Sequence, residues 1–339
     1  MDYEEVFSDS QRFLEIIKKA DKKTREVHGR DVTLERAIFL SWWCDRGNCS
    51  FCYMSTQKER IKDKEKARRR LSSVLAEAEL LRRIGWKAAF ISGGYGVYSI
   101  PEIKEIAQRV HEIMGEPTWL NVGALSKDEM SLFDEEIHGV VGSVETVNEK
   151  LHREICPGKP LKPISAMLKN AKDLGLKTGI TIILGLGEGV SNLPRLVEFV
   201  EEHEIDKITV YSLNPHEATP LSDSPPPASL YQAGVIAALR LKFPHLKIVA
   251  GTWIDQLPNI GITLLAGANG ITKYPLFRMF GNRYGKKVEE EIAFAGRRVV
   301  GTFTDMTRLD GEVKTRGPEK VEVESALKRY VQKIERSSL

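Results

Sequence analysis

Only four cysteines occur in 339 residues. That is too few, and too unevenly placed, for a disulfide framework, and thiols gathered in one place fit a reducing, cytoplasmic compartment. Long apolar runs are missing too. None approaches the roughly 18 residues of a membrane span, and the opening Met1-Asp2-Tyr3-Glu4-Glu5 is acidic where a signal peptide would be basic and then apolar. Nor is there an excess of one charge: 50 Lys plus Arg against 47 Asp plus Glu leave a net +3, which makes no case for nucleic-acid binding. Internal repeats and low-complexity segments are absent, and the Ser224-Pro225-Pro226-Pro227 stretch is a rigid loop before a helix. What is present is length, enough for one (β/α)8 barrel with additions or for two domains.

Three of the four cysteines, Cys44, Cys49 and Cys52, fall within nine residues at C-x4-C-x2-C spacing, directly after the apolar run Ala37-Ile38-Phe39-Leu40. Three thiolates from one loop can hold three irons of a [4Fe–4S] cube and leave the fourth open for a small chelating molecule. Zinc is the rival, although a closed zinc site wants a second Cys or His pair at short spacing, and none follows. Asp45-Arg46-Gly47-Asn48 can wrap a cluster with backbone N–H groups, and Phe51 would lie against the cluster or its ligand.

Around this loop, strand and helix patterns alternate through about eight repeats. A helix over Ser8 to about His28 comes first, followed by strands at Ala37–Trp43, Trp86–Ile91, Thr118–Val122, Gly139–Val144, Thr178–Leu184, Lys207–Leu213, Leu246–Ala250 and Asn269–Lys273. Helices are predicted between them, among them Lys62–Ile84 and Lys127–Glu136. The expected architecture is a (β/α)8 barrel over residues 37–280, with an N-terminal helical extension (1–36) and a C-terminal cap or docking region (281–339). In that last region Arg298–Thr304 and Glu312–Lys314 are expected to pair as a hairpin around Asp310-Gly311, before a helix over Val321–Ile334. The loop Ser92-Gly93-Gly94-Tyr95-Gly96 sits at a strand end, where paired glycines let a ligand approach the backbone; a tight turn would use them equally well.

At the cysteine loop the sequence resembles the radical S-adenosylmethionine (SAM) superfamily, whose usual spacing is C-x3-C-x2-C, one residue shorter than here. The resemblance implies that SAM chelates the open iron through its amino and carboxyl groups. It also implies that Ser92, Gly93 and Gly94 correspond to the second-strand motif that holds the SAM amino group, with Tyr95 in place of the motif's acid. Within the superfamily the chain is similar to biotin synthase and its relatives over roughly residues 30 to 275. The likeness lies in Val144-Glu145-Thr146 through Lys150-Leu151-His152-Arg153-Glu154-Ile155-Cys156-Pro157-Gly158, Gly179 to Glu188, Asn214 with Ala218-Thr219-Pro220-Leu221, and Val249-Ala250-Gly251 with Leu265-Ala266-Gly267-Ala268-Asn269. By that likeness Glu145 and Arg153 are candidate SAM contacts, Glu145 being otherwise a solvated acid at a helix N-terminus.

Biotin synthase carries further barrel cysteines and an arginine for a second cluster. Here the cysteines are missing, and Lys247 stands about where the arginine would be. Cys156 is then either a buried inert cysteine or a thiol at the barrel mouth that ligates a second iron–sulfur cluster or handles sulfur. The pattern resembles a component of the archaeal two-component lipoyl synthases, and the tail Arg336-Ser337-Ser338-Leu339 matches an Arg-Ser-Ser motif of single-chain lipoyl synthases. That implies sulfur insertion into an octanoyl chain on a lipoyl carrier domain or H-protein-like substrate, with a paralogous partner subunit and an electron donor. The alternatives are a radical SAM methylase, mutase or maturation enzyme and, from another class, a zinc-stabilised binding protein.

Overall fold

A computed structural model describes residues 3–338. Met1, Asp2 and Leu339, which belong to the acidic start and the serine tail above, lie outside the described residues. Eight parallel strands close into a barrel: β1 (Asp31–Phe39), β2 (Lys87–Ser92), β3 (Thr118–Asn121), β4 (Ile137–Glu145), β5 (Lys177–Leu184), β6 (Lys207–Ser212), β7 (Lys247–Gly251) and β8 (Gly270–Thr272). Closure comes from β1, which pairs with β2 from Glu35–Lys87 to Phe39–Ser92 and with β8 from Thr33–Gly270 to Glu35–Thr272. Val, Ile and Leu dominate the strands because helices cover their outer faces while the lumen buries their inner ones. The helices stop where the sequence requires: Leu71–Ile84 ends on Gly85 at φ 75°, and Ile100–Met114 begins with a Ser99–Glu102 capping box. Among the described residues no helix is long and apolar enough to cross a membrane.

Several boundaries depart from the sequence pattern. β1 begins at Asp31, so residues 31–36 belong to the barrel and not to an N-terminal extension. The helix expected from Lys62 begins only at Leu71. Before it lie a 3-10 turn (Lys64–Ala67) and an extended Arg68-Arg69-Arg70 stretch, where Arg69 N–H donates to the Leu40 carbonyl and the Arg69 guanidinium to the Phe39 carbonyl. The helix at Lys127 ends at Met130. The expected C-terminal hairpin does not form. Instead β9 (Arg298–Val300) runs parallel to Asp31–Thr33, satisfying the edge of β1 that extends below its other partners, and Arg298 clasps Asp31 at 2.6 and 2.9 Å. The last helix, Lys320–Ser338, packs on Leu71–Ile84 and on Leu276–Met279, so the C-terminal region is stitched into the barrel wall.

Polar groups plug the N-terminal end of the lumen. Glu35 accepts from Lys207 Nζ at 2.7 Å and from Thr33 Oγ1 at 2.9 Å, and Lys247 Nζ lies 3.5 Å away. Burial opposes ionisation of Glu35, but the two lysines outweigh it and draw its pKa down to about 2. Lys247, the first residue of β7, therefore belongs to this bottom plug, at the opposite end of the strand from the position that a cluster-holding arginine would need. Such a plug serves stability, because the chemistry of this architecture sits at the opposite, C-terminal face.

Candidate active site

The C-terminal strand ends and the cysteine loop enclose one cavity of about 600 Å³. Cys44, Cys49 and Cys52 all line it, as do Phe51, Ser92, Gly93, Gly94, Tyr95 and Glu145. The loop is tied down from several sides. Ser50 N–H donates to the Ile155 carbonyl, Leu221 N–H donates to the Ser50 carbonyl, Asn48 Oδ1 accepts from Gly158 N–H at 3.2 Å, and Lys58 Nζ donates to the Asp45 carbonyl at 2.7 Å.

Gly93 and Gly94 divide the work. A Cβ on Gly93 would touch only Leu40, at 3.7 Å, so its backbone is open to the cavity. A Cβ on Gly94 would stand 1.9 Å from the Trp43 carbonyl oxygen and 2.6 Å from the Cys44 Cα, so this glycine lets the cysteine loop itself come close. Tyr95 continues the bracing. Its N–H donates to Cys44 Sγ at 3.3 Å, its carbonyl accepts from Asp45 N–H at 2.9 Å, its hydroxyl accepts from Ala124 N–H at 3.1 Å, and the Arg46 guanidinium lies 5.4 Å from its ring centroid.

Glu145 ends β4 on a register shift at φ 62°, a conformation that turns its side chain into the cavity wall. Its carboxylate accepts from Lys159 Nζ at 2.6 Å and from Thr181 Oγ1 at 3.3 Å, so it is a buried, paired acid and not the solvated helix-end acid of the alternative reading. Burial alone would lower the Lys159 ammonium, but Glu145, Cys156 and Cys49 more than reverse this and hold it well above the ordinary lysine range. Lys159 was the missed residue; it directly follows Pro157-Gly158, at the end of the segment that carries the fourth-strand signature.

Two candidates are corrected. The Arg153 side chain is 72% exposed, 3.9 Å from Glu149 and outside the cavity lining, because it lies on the solvent face of the helix Glu149–Ile155; Lys159 supplies the cation instead. Cys156 is 1% exposed, packed with Ile155, Leu186 and Leu213, and outside the cavity lining, so its thiol lies behind Cys49 and is not open to the cavity where a substrate would sit. A hydrogen bond to Cys49 and burial push its pKa up. The tail serines are spent within the fold: Ser337 Oγ donates to the Lys333 carbonyl and Ser338 Oγ to the Phe280 and Ile334 carbonyls.

The donor set fits an iron–sulfur cube. Three free thiols face one cavity, a backbone N–H already points at one of the sulfurs, and Trp43 Nε1, next to Cys44, is a buried donor with no partner. Among the described residues no three Cys, His, Asp or Glu side chains gather as a single metal ion would require.

A family model described as the radical SAM superfamily matches residues 39–200. An uncharacterized protein of Methanocaldococcus jannaschii is 48% identical over 303 residues, covering 89% of this chain and 84% of its own length. The [FeFe] hydrogenase maturase subunit HydE of Thermotoga maritima is 27% identical over 262 residues, 76% of this chain and 74% of its own. In fold, the crystal structure of methylornithine synthase (PylB) superposes with a TM-score of 0.74 at 21% identity, covering 96% of this chain and 95% of that one.

Proposed function

The chain belongs to the radical SAM superfamily, and from that premise we propose that it is an enzyme of the mutase or maturation type that removes a hydrogen atom from a small molecule held inside the barrel mouth. Its cofactors are a 4Fe–4S cluster and SAM. Held by Cys44, Cys49 and Cys52, such a cluster would supply the electron for reductive cleavage of SAM and so the hydrogen-abstracting chemistry.

The protein's part is to hold, aim and keep dry. Cys44, Cys49 and Cys52 hold the cluster. The Ser92–Gly93 backbone and the Lys159–Glu145 pair offer donors and acceptors to the zwitterionic and ribose parts of SAM, while Phe39, Phe51 and Phe90 line the same cavity and exclude water.

One observation bears on the choice of reaction type: polar groups stand among the apolar side chains that line the cavity. Ser143 is bonded to Asn121 and Thr181 to Glu145, whereas Tyr211, Asn214 and Lys273 keep polar atoms for an occupant, and an octanoyl chain lying against these three would take water from them without replacing its hydrogen bonds. A small polar substrate would satisfy them. The curated relatives with a named activity include a hydrogenase maturase subunit and 3-methylornithine synthases, which supports the same choice and lends nothing to sulfur insertion. Membership of this superfamily also displaces the zinc-stabilised binding protein.

The test is anaerobic reconstitution with an external electron donor, with and without a paralogous subunit, and measurement of 5′-deoxyadenosine. Cleavage of SAM without thiolation of an octanoyl-lysyl peptide is expected; a thiolated octanoyl product would overturn the proposal in favour of lipoyl synthesis.

A further inference from the structure

Among the described residues, four that are not glycine have positive φ: Glu145, Glu204, Ala218 and Lys273. Two of them, Glu145 at the end of β4 and Lys273 just after β8, line the cavity. Such a conformation costs a non-glycine residue on the order of 1–3 kcal/mol, and it persists where the surroundings hold a side chain in a particular place. Glu145 has its partner in Lys159. Lys273, at φ 78°, has none. Its ammonium makes one hydrogen bond, to the Ser212 carbonyl at 3.3 Å, and stands 5.3 Å from the Tyr211 ring centroid, so two of its three donors are free. No carboxylate forms an ion pair with it among the described residues.

The charges around it point the same way. Six cations line the cavity, Arg36, Arg46, Lys159, Lys273, Arg278 and Lys333, against a single carboxylate, Glu145. Glu145 is taken by Lys159, and Arg36 by Glu77 at 2.6 Å. Arg46, Lys273, Arg278 and Lys333 make no ion pair among the described residues; Arg46, Arg278 and Lys333 are exposed and screened by water, so the positive field inside the cavity rests on the buried Lys273, which Glu145 and Asp255 offset only in part. A cationic or neutral occupant would leave that field unanswered.

We infer that the substrate is a small organic anion, and that Lys273 is the residue that pairs with its carboxylate or phosphate oxygen. This rests on the radical SAM reading. Burial brings the Lys273 pKa down to about 8, which is what a cation kept from water and awaiting an anion should show. The titratable groups facing it are Glu145 from β4, Tyr211 from β6, His216 beyond β6 and Asp255 beyond β7. Burial pushes Tyr211 far up and His216 down, so of these two and Lys273 it is Lys273 that changes charge between pH 7 and pH 9.

The experiment is calorimetric titration of the anaerobic, SAM-loaded holoenzyme with citrate, inorganic phosphate and, as the cationic control, putrescine. Citrate and phosphate should bind in preference to putrescine, and Lys273→Met should weaken both by about tenfold or more. Lys273→Arg should restore them. Wild-type affinity should be full below pH 8 and fall as pH rises through it, while the arginine variant stays flat. Equal anion binding by Lys273→Met, preference for putrescine, or loss of SAM binding in place of anion binding would each overturn the assignment. Iron, sulfide and 5′-deoxyadenosine are measured on the same samples. Wild-type protein that cleaves SAM but ignores the anions removes only this inference, and protein that cannot cleave SAM removes the reading beneath it.

Discussion

Replacing Gly94 with alanine separates two roles that the glycine pair performs together. The added methyl would lie 1.9 Å from the Trp43 carbonyl oxygen and 2.6 Å from both Cys44 Cα and Cβ, all atoms of the loop's own backbone or its root. No flexible side-chain end is there to give way, so the loop must retreat by at least about 1 Å, and a shift of that size at a reacting centre costs on the order of 100-fold in rate. The retreat also stretches the Tyr95 N–H to Cys44 Sγ contact beyond its 3.3 Å. The expected result is a protein that folds, with overpacking costing about 1–3 kcal/mol, but assembles well under four irons per chain and shows little absorbance near ~400 nm. Gly93→Ala is the matched control. Its methyl meets only Leu40 at 3.7 Å, so it should assemble a full cluster even if SAM, which uses that backbone, binds less well. Gly94→Ala with wild-type iron, sulfide and deoxyadenosine formation, or Gly93→Ala with an equal loss of iron, would refute the reasoning.

Other variants probe the rest of the frame. Glu35→Gln leaves Lys207 and Lys247 buried without their counter-charge and should cost about 3–5 kcal/mol in a denaturant melt. Because the Glu35 pKa is depressed to about 2, the stability it contributes is full above its ordinary value near 4.5 and is lost as pH falls toward 2, a fall that Glu35→Gln should lack. Lys159→Met strands Glu145 in the same way and should lower both stability and SAM affinity, with Lys159→Arg recovering part; Arg153→Ala, on the solvent face, should leave SAM affinity within twofold. Cys156→Ala should still hold four irons per chain, and a drop below that number would make this thiol a ligand.

The alternation of strands and helices was legible because each strand is buried on both faces and each helix on one, and residue periodicity reports both directly. The cysteine trio and the glycine pair were legible for a related reason: their chemistry is local, spaced within a single loop. What escaped depends on residues far apart in the chain. Nothing local to Arg298 announces that β1, more than 260 residues earlier, leaves an edge to be filled, so a hairpin with the nearest turn looked better. Lys247 falls about where the cluster-holding arginine would be because strand number is visible in a sequence and the end of the strand is not. Arg153 and Lys159 both follow β4, and only the helix Glu149–Ile155, which turns one outward and lets the other fold back on Glu145, distinguishes them.

The extra residue in the first cysteine gap can be placed by the same reasoning. A longer Cys44–Cys49 segment has more conformations to lose on ordering, and the chain compensates with anchors inside the gap. Gly47 takes φ 24°, where any Cβ would strike Lys58 at 2.7 Å and the Cys44 carbonyl at 2.9 Å; Asp45 is gripped by the Lys58 ammonium; Asn48 is bonded to Gly158. The last contact links the loop to the turn that delivers Lys159 to Glu145, so the cysteine gap and the acid–lysine pair are braced by one segment, Cys156-Pro157-Gly158-Lys159. Removing the side-chain amide, as in Asn48→Leu, should therefore disturb two distant readouts together, iron retention and SAM affinity. If the two sites were independent, only iron retention would fall, and the bracing would have to be assigned to Lys58 alone.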